Sequence, residues 1–256
     1  MVVGEILKNK HFQIIINMNV QKESRPKIGI PLWVIGSGAG IGISYYAYFA
    51  EYLEYEVIIL PPTHSIREDL DLLVLPGGAD VITTRYNTAP LVTQGNSDPF
   101  KEYFDTYWLP EYIKQGTPIF GICRGFQSLN VYFGGNLREV YHNTNSSVEP
   151  GKEMHKVWGA GFFTQEQREK IMSLNLPSSF GVNSRHHQGL KIKDLGHGLV
   201  PLYLDSSKNT AMACVEAFAH SSLPIVGVQW HPEDLYDSFS YLIIDYLINS
   251  KKSIFQ

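Results

Sequence analysis

From Lys27 onward the chain alternates short apolar runs with segments of helical period. Lys27-Ile28-Gly29-Ile30-Pro31-Leu32 leads into glycine-rich sequence, and Glu56-Val57-Ile58-Ile59-Leu60 stops at Pro61-Pro62. Leu72-Leu73-Val74-Leu75 stops at Pro76-Gly77-Gly78, and Pro118-Ile119-Phe120-Gly121-Ile122 runs into Cys123. Continuous apolar runs bounded by turn residues predict strands buried on both faces, as in a parallel sheet. Three further strand-like pieces fall at 198–204, 211–217 and 224–230.

Between these runs the period changes. Ser44 to Glu54 is aromatic-rich and reads as helical. Phe100, Tyr103, Phe104, Tyr107 and Trp108 fall at i, i+3, i+4, i+7 and i+8, one apolar stripe that predicts core packing. Asp98-Pro99 supplies a capping carboxylate and a first-turn proline, while Pro110 should kink or split this helix. Phe126 to Phe133 ends at Gly134-Gly135, a helix stop, and a last amphipathic helix carries Leu235, Phe239, Leu242, Ile243, Tyr246 and Leu247 on one side. The order βαβα, with a strand–turn–helix at its centre, predicts an α/β fold with an open, mostly parallel sheet flanked by helices. Residues 1–26 end in the polar stretch Gln21-Lys22-Glu23-Ser24-Arg25-Pro26 and read as an extension and linker; residues 27–256 read as one domain.

Composition narrows the classes. The chain has 256 residues, 44% hydrophobic and 18% charged, with a formal net charge of −4, so a partner that demands a basic surface, nucleic acid or anionic membrane, is not expected. Two cysteines are too few for a secreted disulfide framework, and the first residues lack a signal-peptide layout; a cytoplasmic location is expected.

The chemistry centres on Gly121-Ile122-Cys123-Arg124-Gly125, which matches a nucleophile elbow with sulfur as the nucleophile. Small neighbours let the chain turn sharply from strand to helix, and a helix N-terminus favours thiolate over thiol. The N–H of Arg124 is then aimed at an oxyanion formed on the carbon that sulfur attacks. Cys214, between Ala213 and Val215 in a strand-like run, reads as an ordinary core cysteine. A base for Cys123 is supplied by Trp230-His231-Pro232-Glu233. On an extended segment, residues two apart face the same way, so His231 and Glu233 can converge, and Pro232 should end the strand at the rim of the sheet.

The elbow, the late His-Pro-Glu and Pro76-Gly77-Gly78 at a strand end together resemble class I glutamine amidotransferases. Arg124 after the nucleophile, Phe126-Gln127, Asn130-Val131, Pro76-Gly77-Gly78-Ala79-Asp80-Val81, Asp98-Pro99 and Val182-Asn183-Ser184-Arg185-His186-His187-Gln188 are similar to the γ-glutamyl-γ-aminobutyrate hydrolase-like branch, peptidase family C26. The resemblance implies a flavodoxin-like fold from about Lys27 to the C-terminus, with Cys123, His231 and Glu233 catalytic. It also implies oxyanion donation from the N–H groups of Gly78 and Arg124, and a substrate pocket lined by Gln127, Asn183, Ser184, His186, His187 and Gln188. Two adjacent histidines point to opposite faces, so one of His186 and His187 is expected to reach substrate. Ile82-Thr83-Thr84-Arg85-Tyr86 departs from the family pattern, which usually has a proline before the tyrosine, and this bears on fine specificity.

The function implied is hydrolysis of γ-glutamyl amide bonds through a cysteine thioester, with a small-molecule γ-glutamyl substrate. The alternative is a glutaminase subunit delivering ammonia to a partner synthase, and a non-enzymatic regulatory role ranks third because all three catalytic residues are retained. No metal or cofactor is expected, since His186, His187 and His231 lack a known zinc-ligand spacing. Association into a homo-oligomer is left open.

Overall fold

The computed structural model describes residues 24–86, 95–140, 153–160, 177–205 and 212–254. In chain order the strands are β1 (Lys27–Pro31), β2 (Trp33–Ile35), β3 (Gly38–Gly40), β4 (Glu56–Leu60), β5 (Leu72–Leu75), β6 (Ile119–Ile122) and β7 (Arg138–Glu139). They continue as β8 (Glu153–Gly159), β9 (Ser179–Ser184), β10 (Gln188–Gly189), β11 (Leu199–Leu204), β12 (Val215–His220) and β13 (Ile225–Val228). Nine of them form one sheet in the order β4-β1-β5-β6-β13-β12-β11-β8-β9. The run from β4 to β13 is parallel throughout, and the sheet then extends through β12, β11, β8 and β9 in antiparallel steps. The α/β fold expected from the sequence is the one observed, and the parallel half carries the elbow.

The helices are α1 (Ile43–Tyr46), α2 (Pro99–Tyr103), α3 (Leu109–Gln115), α4 (Arg124–Tyr132), α5 (Pro232–Leu235) and α6 (Ser238–Ile254). Both α1 and α2 continue into wider π-type turns, Ala47–Tyr52 and Phe104–Trp108. The central strands are buried on both sides because alternate residues enter two cores. Leu72 and Val74 join Ile28, Ile30, Ile122 and Trp230 on one face, against Ile243 and Leu247 of α6. Leu73 and Leu75 join Phe104, Tyr112, Phe126 and Leu129 on the other.

Three local expectations change. The aromatic stripe after Pro99 is only partly inward: Phe104 is buried, whereas Tyr103 and Tyr107 are exposed and pack on each other with ring centroids 4.7 Å apart. The inward face instead carries Lys101, Phe104, Asp105, Leu109 and Tyr112. A reading by apolar residues alone misses this, because two of the inward positions are charged. Pro110 sits in the first turn of α3, directly after the π-type segment, and the helical run continues through it from Pro99 to Gln115. The strand expected at 211–217 runs from Val215 to His220; residues 206–211 lie outside the described residues, and Cys214 makes only an isolated bridge with Lys191. On α6, Phe239, Ile243, Ile244, Leu247 and Ile248 face inward, while Leu242 is exposed and Leu235 belongs to the separate helix α5. The extension read at 1–26 falls almost wholly outside the described residues.

Candidate active site

The elbow is built by close approach. Cys123 adopts φ 50° and ψ −101°, a left-handed conformation that costs a non-glycine residue energy and must be held by its surroundings. Its N–H donates to the Val228 carbonyl at 2.8 Å, which ties the turn to β13. The glycines on either side are needed for space: a Cβ on Gly125 would lie 2.1 Å from the Leu75 carbonyl oxygen, and one on Gly121 would lie 2.8 Å from the backbone of Gly125. With the turn thus closed, α4 starts at Arg124, directly after the sulfur.

His231 arrives on the neighbouring strand end. It precedes Pro232, which opens α5, so Glu233 lies in the first helical turn and not on an extended segment as the sequence reading has it. Proline at the first helical position accounts for the difference. The two side chains still converge, with His231 Nδ1 and Glu233 Oε1 2.6 Å apart in a buried hydrogen bond. Cys123 is the neighbour that most raises the His231 pKa. Burial alone would lower the pKa of His231, but the charge on Cys123 and the Glu233 carboxylate outweigh burial and push it up to about 10. The geometry therefore holds a proton on His231 beside the sulfur.

The end of β5 faces this pair. A Cβ on Gly77 would meet His231 Cε1 at 2.8 Å and Cys123 Cβ at 3.4 Å, so the loop passes over both. Gly78 has φ 137°, a conformation that disfavours any side chain. Gly77 N–H donates to the Tyr45 hydroxyl at 2.8 Å. On the other side of the same loop, Lys101 Nζ donates to the Gly77 carbonyl at 2.5 Å and to the Pro76 carbonyl at 3.3 Å. The sequence does not mark out Tyr45 or Lys101. Tyr45 has no motif around it, and Lys101 follows the Asp98-Pro99 cap as an ordinary helix lysine would.

The Arg124 side chain turns away from the sulfur. Its Nη1 donates to Asp105 at 2.6 Å and its Nη2 to Glu102 at 2.7 Å, and Arg85 reaches the same two carboxylates at 2.8 and 3.3 Å. Only its main-chain N–H is placed at the start of α4, where helix geometry leaves it without an intrahelical acceptor.

The expected pocket residues divide. Asn183 is read from the sequence as lining the pocket, yet both ends of its amide engage the His231 main chain: Oδ1 accepts from the His231 N–H at 2.8 Å and Nδ2 donates to the His231 carbonyl at 3.1 Å. A carboxamide at the end of β9 is the right length to fix the turn that presents the imidazole. Ser184 ends β9 and is buried. Gln127, buried on α4, donates from Nε2 to the Gln188 carbonyl at 2.8 Å and lies 3.2 Å from Gln229 Oε1. Gln188 pairs with Glu139 in the two-stranded sheet of β7 and β10. His186 Nδ1 is 2.9 Å from the Gln188 carbonyl, whereas His187 Nε2 is 3.1 Å from Asp80 Oδ2, so the adjacent histidines do turn to different partners.

His231, Glu233 and Asp234 bring ligand-type atoms within 4.8 Å of one another. Two of these groups are already joined to each other, and Asp234 is paired with Arg185 at 2.7 Å, so the cluster is accounted for by internal pairing. No helix among the described residues is long and apolar enough to cross a membrane.

Comparison with known proteins agrees with this architecture. The chain is 35% identical over 191 residues to the glutamine amidotransferase-like protein YvdE of Lactococcus lactis subsp. lactis, covering 73% of this chain and 78% of that protein. It is 30% identical over 145 residues to the γ-glutamyl-γ-aminobutyrate hydrolase PuuD of Escherichia coli K12, an alignment that spans 54% of each chain. The glutaminase domain of Trypanosoma brucei CTPS, solved with bound acivicin, superposes with a TM-score of 0.60 over 88% of this chain and 94% of that one; at 14% identity it speaks for the fold alone. The profile of the peptidase C26 family matches residues 52–233, a span that includes the elbow, the Gly77–Gly78 loop and the His231–Glu233 pair, and the chain belongs to that family.

Proposed function

We propose that this protein hydrolyses γ-glutamyl amides through a thioester on Cys123. The observation that carries the reading is the buried Cys123–His231–Glu233 arrangement at the elbow, with the His231 pKa pushed up to about 10 by the neighbouring sulfur charge and Glu233 against the opposing effect of burial. The Cys123 sulfur attacks the δ-carbonyl carbon, and the oxyanion accepts hydrogen bonds from the N–H groups of Gly78 and Arg124. Its collapse breaks the C–N bond as His231 gives its proton to the leaving amine. Water then attacks the thioester with His231 as base; glutamate leaves and the sulfur recovers its charge. Glu233 fixes the ring through Nδ1, which leaves Nε2 for the sulfur. Gln127, Ser184, Gln188 and one of His186 and His187 are the proposed pocket wall, while Asn183 positions His231. The reaction is proposed to need no cofactor and to take place in the cytoplasm.

The γ-glutamyl specificity rests on family membership and on the relative named a γ-glutamyl-γ-aminobutyrate hydrolase. The relative named glutamine amidotransferase-like keeps a glutaminase reading in play, with ammonia passed to a partner synthase. A screen of γ-glutamyl amides alongside glutamine, with mass detection of the released amine, separates the two. The proposal expects kcat/KM for at least one γ-glutamyl amide of a small aliphatic or acidic amine to exceed that for glutamine by more than tenfold. Binding energy from the remote amine can be used to lower the barrier, so the preference should appear in kcat as well as KM. Values for glutamine equal to or above those of every amide would overturn the hydrolase reading in favour of the glutaminase.

A further inference from the structure

Lys101 has no part in the chemistry so far, yet it is 3% exposed and lies against the loop that carries one candidate oxyanion donor. A buried lysine is costly unless its ammonium is hydrogen-bonded. Here the partners are two main-chain carbonyls, Gly77 at 2.5 Å and Pro76 at 3.3 Å, and the face of Trp33, whose centroid is 4.4 Å from Nζ. Gly78 packs on the same side chain, since a Cβ there would lie 3.0 Å from Lys101 Cε. Within a planar trans peptide the C=O and the following N–H point in opposite directions. A Gly77 carbonyl held on Nζ therefore turns the Gly78 N–H away from Lys101. An ammonium on the carbonyl also polarises the amide, which strengthens the donor at its other end.

We propose that Lys101 is a positioning residue that orients and polarises the Gly77–Gly78 peptide, so that the Gly78 N–H is held ready for the oxyanion. This rests on the hydrolase reading for the identity of the oxyanion, but the polarised amide exists without substrate. Lys101 acts through the peptide and does not touch the reacting atoms. Its charge is responsive: burial and then Arg124 lower its pKa, Asp98, Asp105 and Cys123 oppose them, and the balance lies at about 7. Glu102 and Arg85 complete the ionic surroundings through Arg124 and Asp105.

The test uses the full chain with Lys101→Met and Lys101→Arg, and two readouts. In the first, kcat and KM are measured on a cleaved γ-glutamyl amide from pH 6 to 9. Lys101→Met should lower kcat about ten- to a hundredfold, short of the ~10²–10³ lost when an oxyanion donor is removed outright, with KM changed by less than about threefold. The wild type should show a fall in kcat centred near pH 7, where Lys101 loses its charge. Lys101→Arg stays charged, so it should retain activity and lack that fall. In the second readout, the ¹⁵N–¹H resonance of Gly78 in the free protein should move with a midpoint near pH 7 in the wild type and stay fixed in Lys101→Arg. If Lys101→Met does not fold, the Lys101→Arg comparison decides. Equal kcat and pH profiles across the variants, or a Gly78 resonance that titrates identically in wild type and variant, would overturn the inference. If the wild type cleaves no γ-glutamyl amide, the hydrolase reading fails and the Gly78 resonance alone decides this one.

Discussion

Cys123 and Cys214 are equally hidden, 6% and 8% exposed, but their neighbours differ. Around Cys214, burial and then Asp205 and Glu216 raise the thiol pKa to about 12, so it stays protonated and inert. Around Cys123 stand His231, held by Glu233, and the start of α4. Treatment with iodoacetamide at pH 7.5 should therefore modify Cys123 well before Cys214, read by peptide mass mapping. Cys123→Ala should abolish hydrolysis with the fold intact, and Cys214→Ala should keep activity within about threefold. The reverse pattern would refute the assignment. The same pairing has a spectroscopic consequence. Because the Cys123 charge is the largest influence raising the His231 pKa, Cys123→Ala should lower that pKa by more than one unit in an NMR titration. An unchanged value would mean that Glu233 alone holds the proton.

At the scale of elements, the site depends on how α2, its π-type extension and α4 are tied beneath the elbow. Arg124 and Asp105 are both buried, and the guanidinium bridges Asp105 and Glu102 while Arg85 closes the network from Thr83–Arg85. Removing one partner of a buried pair leaves a charge without compensation. Arg124→Met should thus cost about 3–5 kcal/mol in urea unfolding, at the low end because Arg85 still serves both carboxylates. A loss below about 1 kcal/mol would show the network to be incidental. This network also marks where sequence reading ends. The apolar runs at Leu72–Leu75 and Ile119–Ile122 identify their own strands, and the five-residue elbow and His-Pro-Glu single out the proposed reactive groups, because each signal is local. Asn183 on His231, Lys101 on Gly77 and Tyr45 on the Gly77 N–H join residues far apart in the chain. Their side chains look like ordinary polar or helical positions until the sheet brings β5, β6 and β13 side by side. The π-type turn at Phe104–Trp108 is likewise invisible to a fixed 3.6-residue period, and Tyr103 and Tyr107 lie on the surface because the inward face is carried by Lys101, Phe104, Asp105, Leu109 and Tyr112.

For the whole molecule, the two buried bases of the site act on stability with opposite sign. His231 has a folded-state pKa raised from 6.5 to about 10, so its contribution is fully present below pH 6.5 and is lost as pH rises toward 10. Lys101 has a folded-state pKa lowered from 10.5 to about 7, so the folded chain binds fewer protons than the unfolded chain between those values. Stability therefore rises with pH across the Lys101 window. From pH 7 to 10 the two effects oppose each other, and the wild type should show only a shallow dependence arising from this site. Lys101→Met removes the rising component and leaves the falling one. Urea unfolding at pH 7, 8 and 9 should then give a free energy that declines with pH more steeply in Lys101→Met than in the wild type. The variant should also be at least as stable as the wild type at pH 7, because an apolar side chain replaces a buried ammonium. Greater stability at pH 7 combined with a lower kcat would show a site that holds a destabilising charge for the sake of the Gly77–Gly78 peptide. Parallel pH profiles for the two proteins would show instead that Lys101 keeps an ordinary pKa in solution.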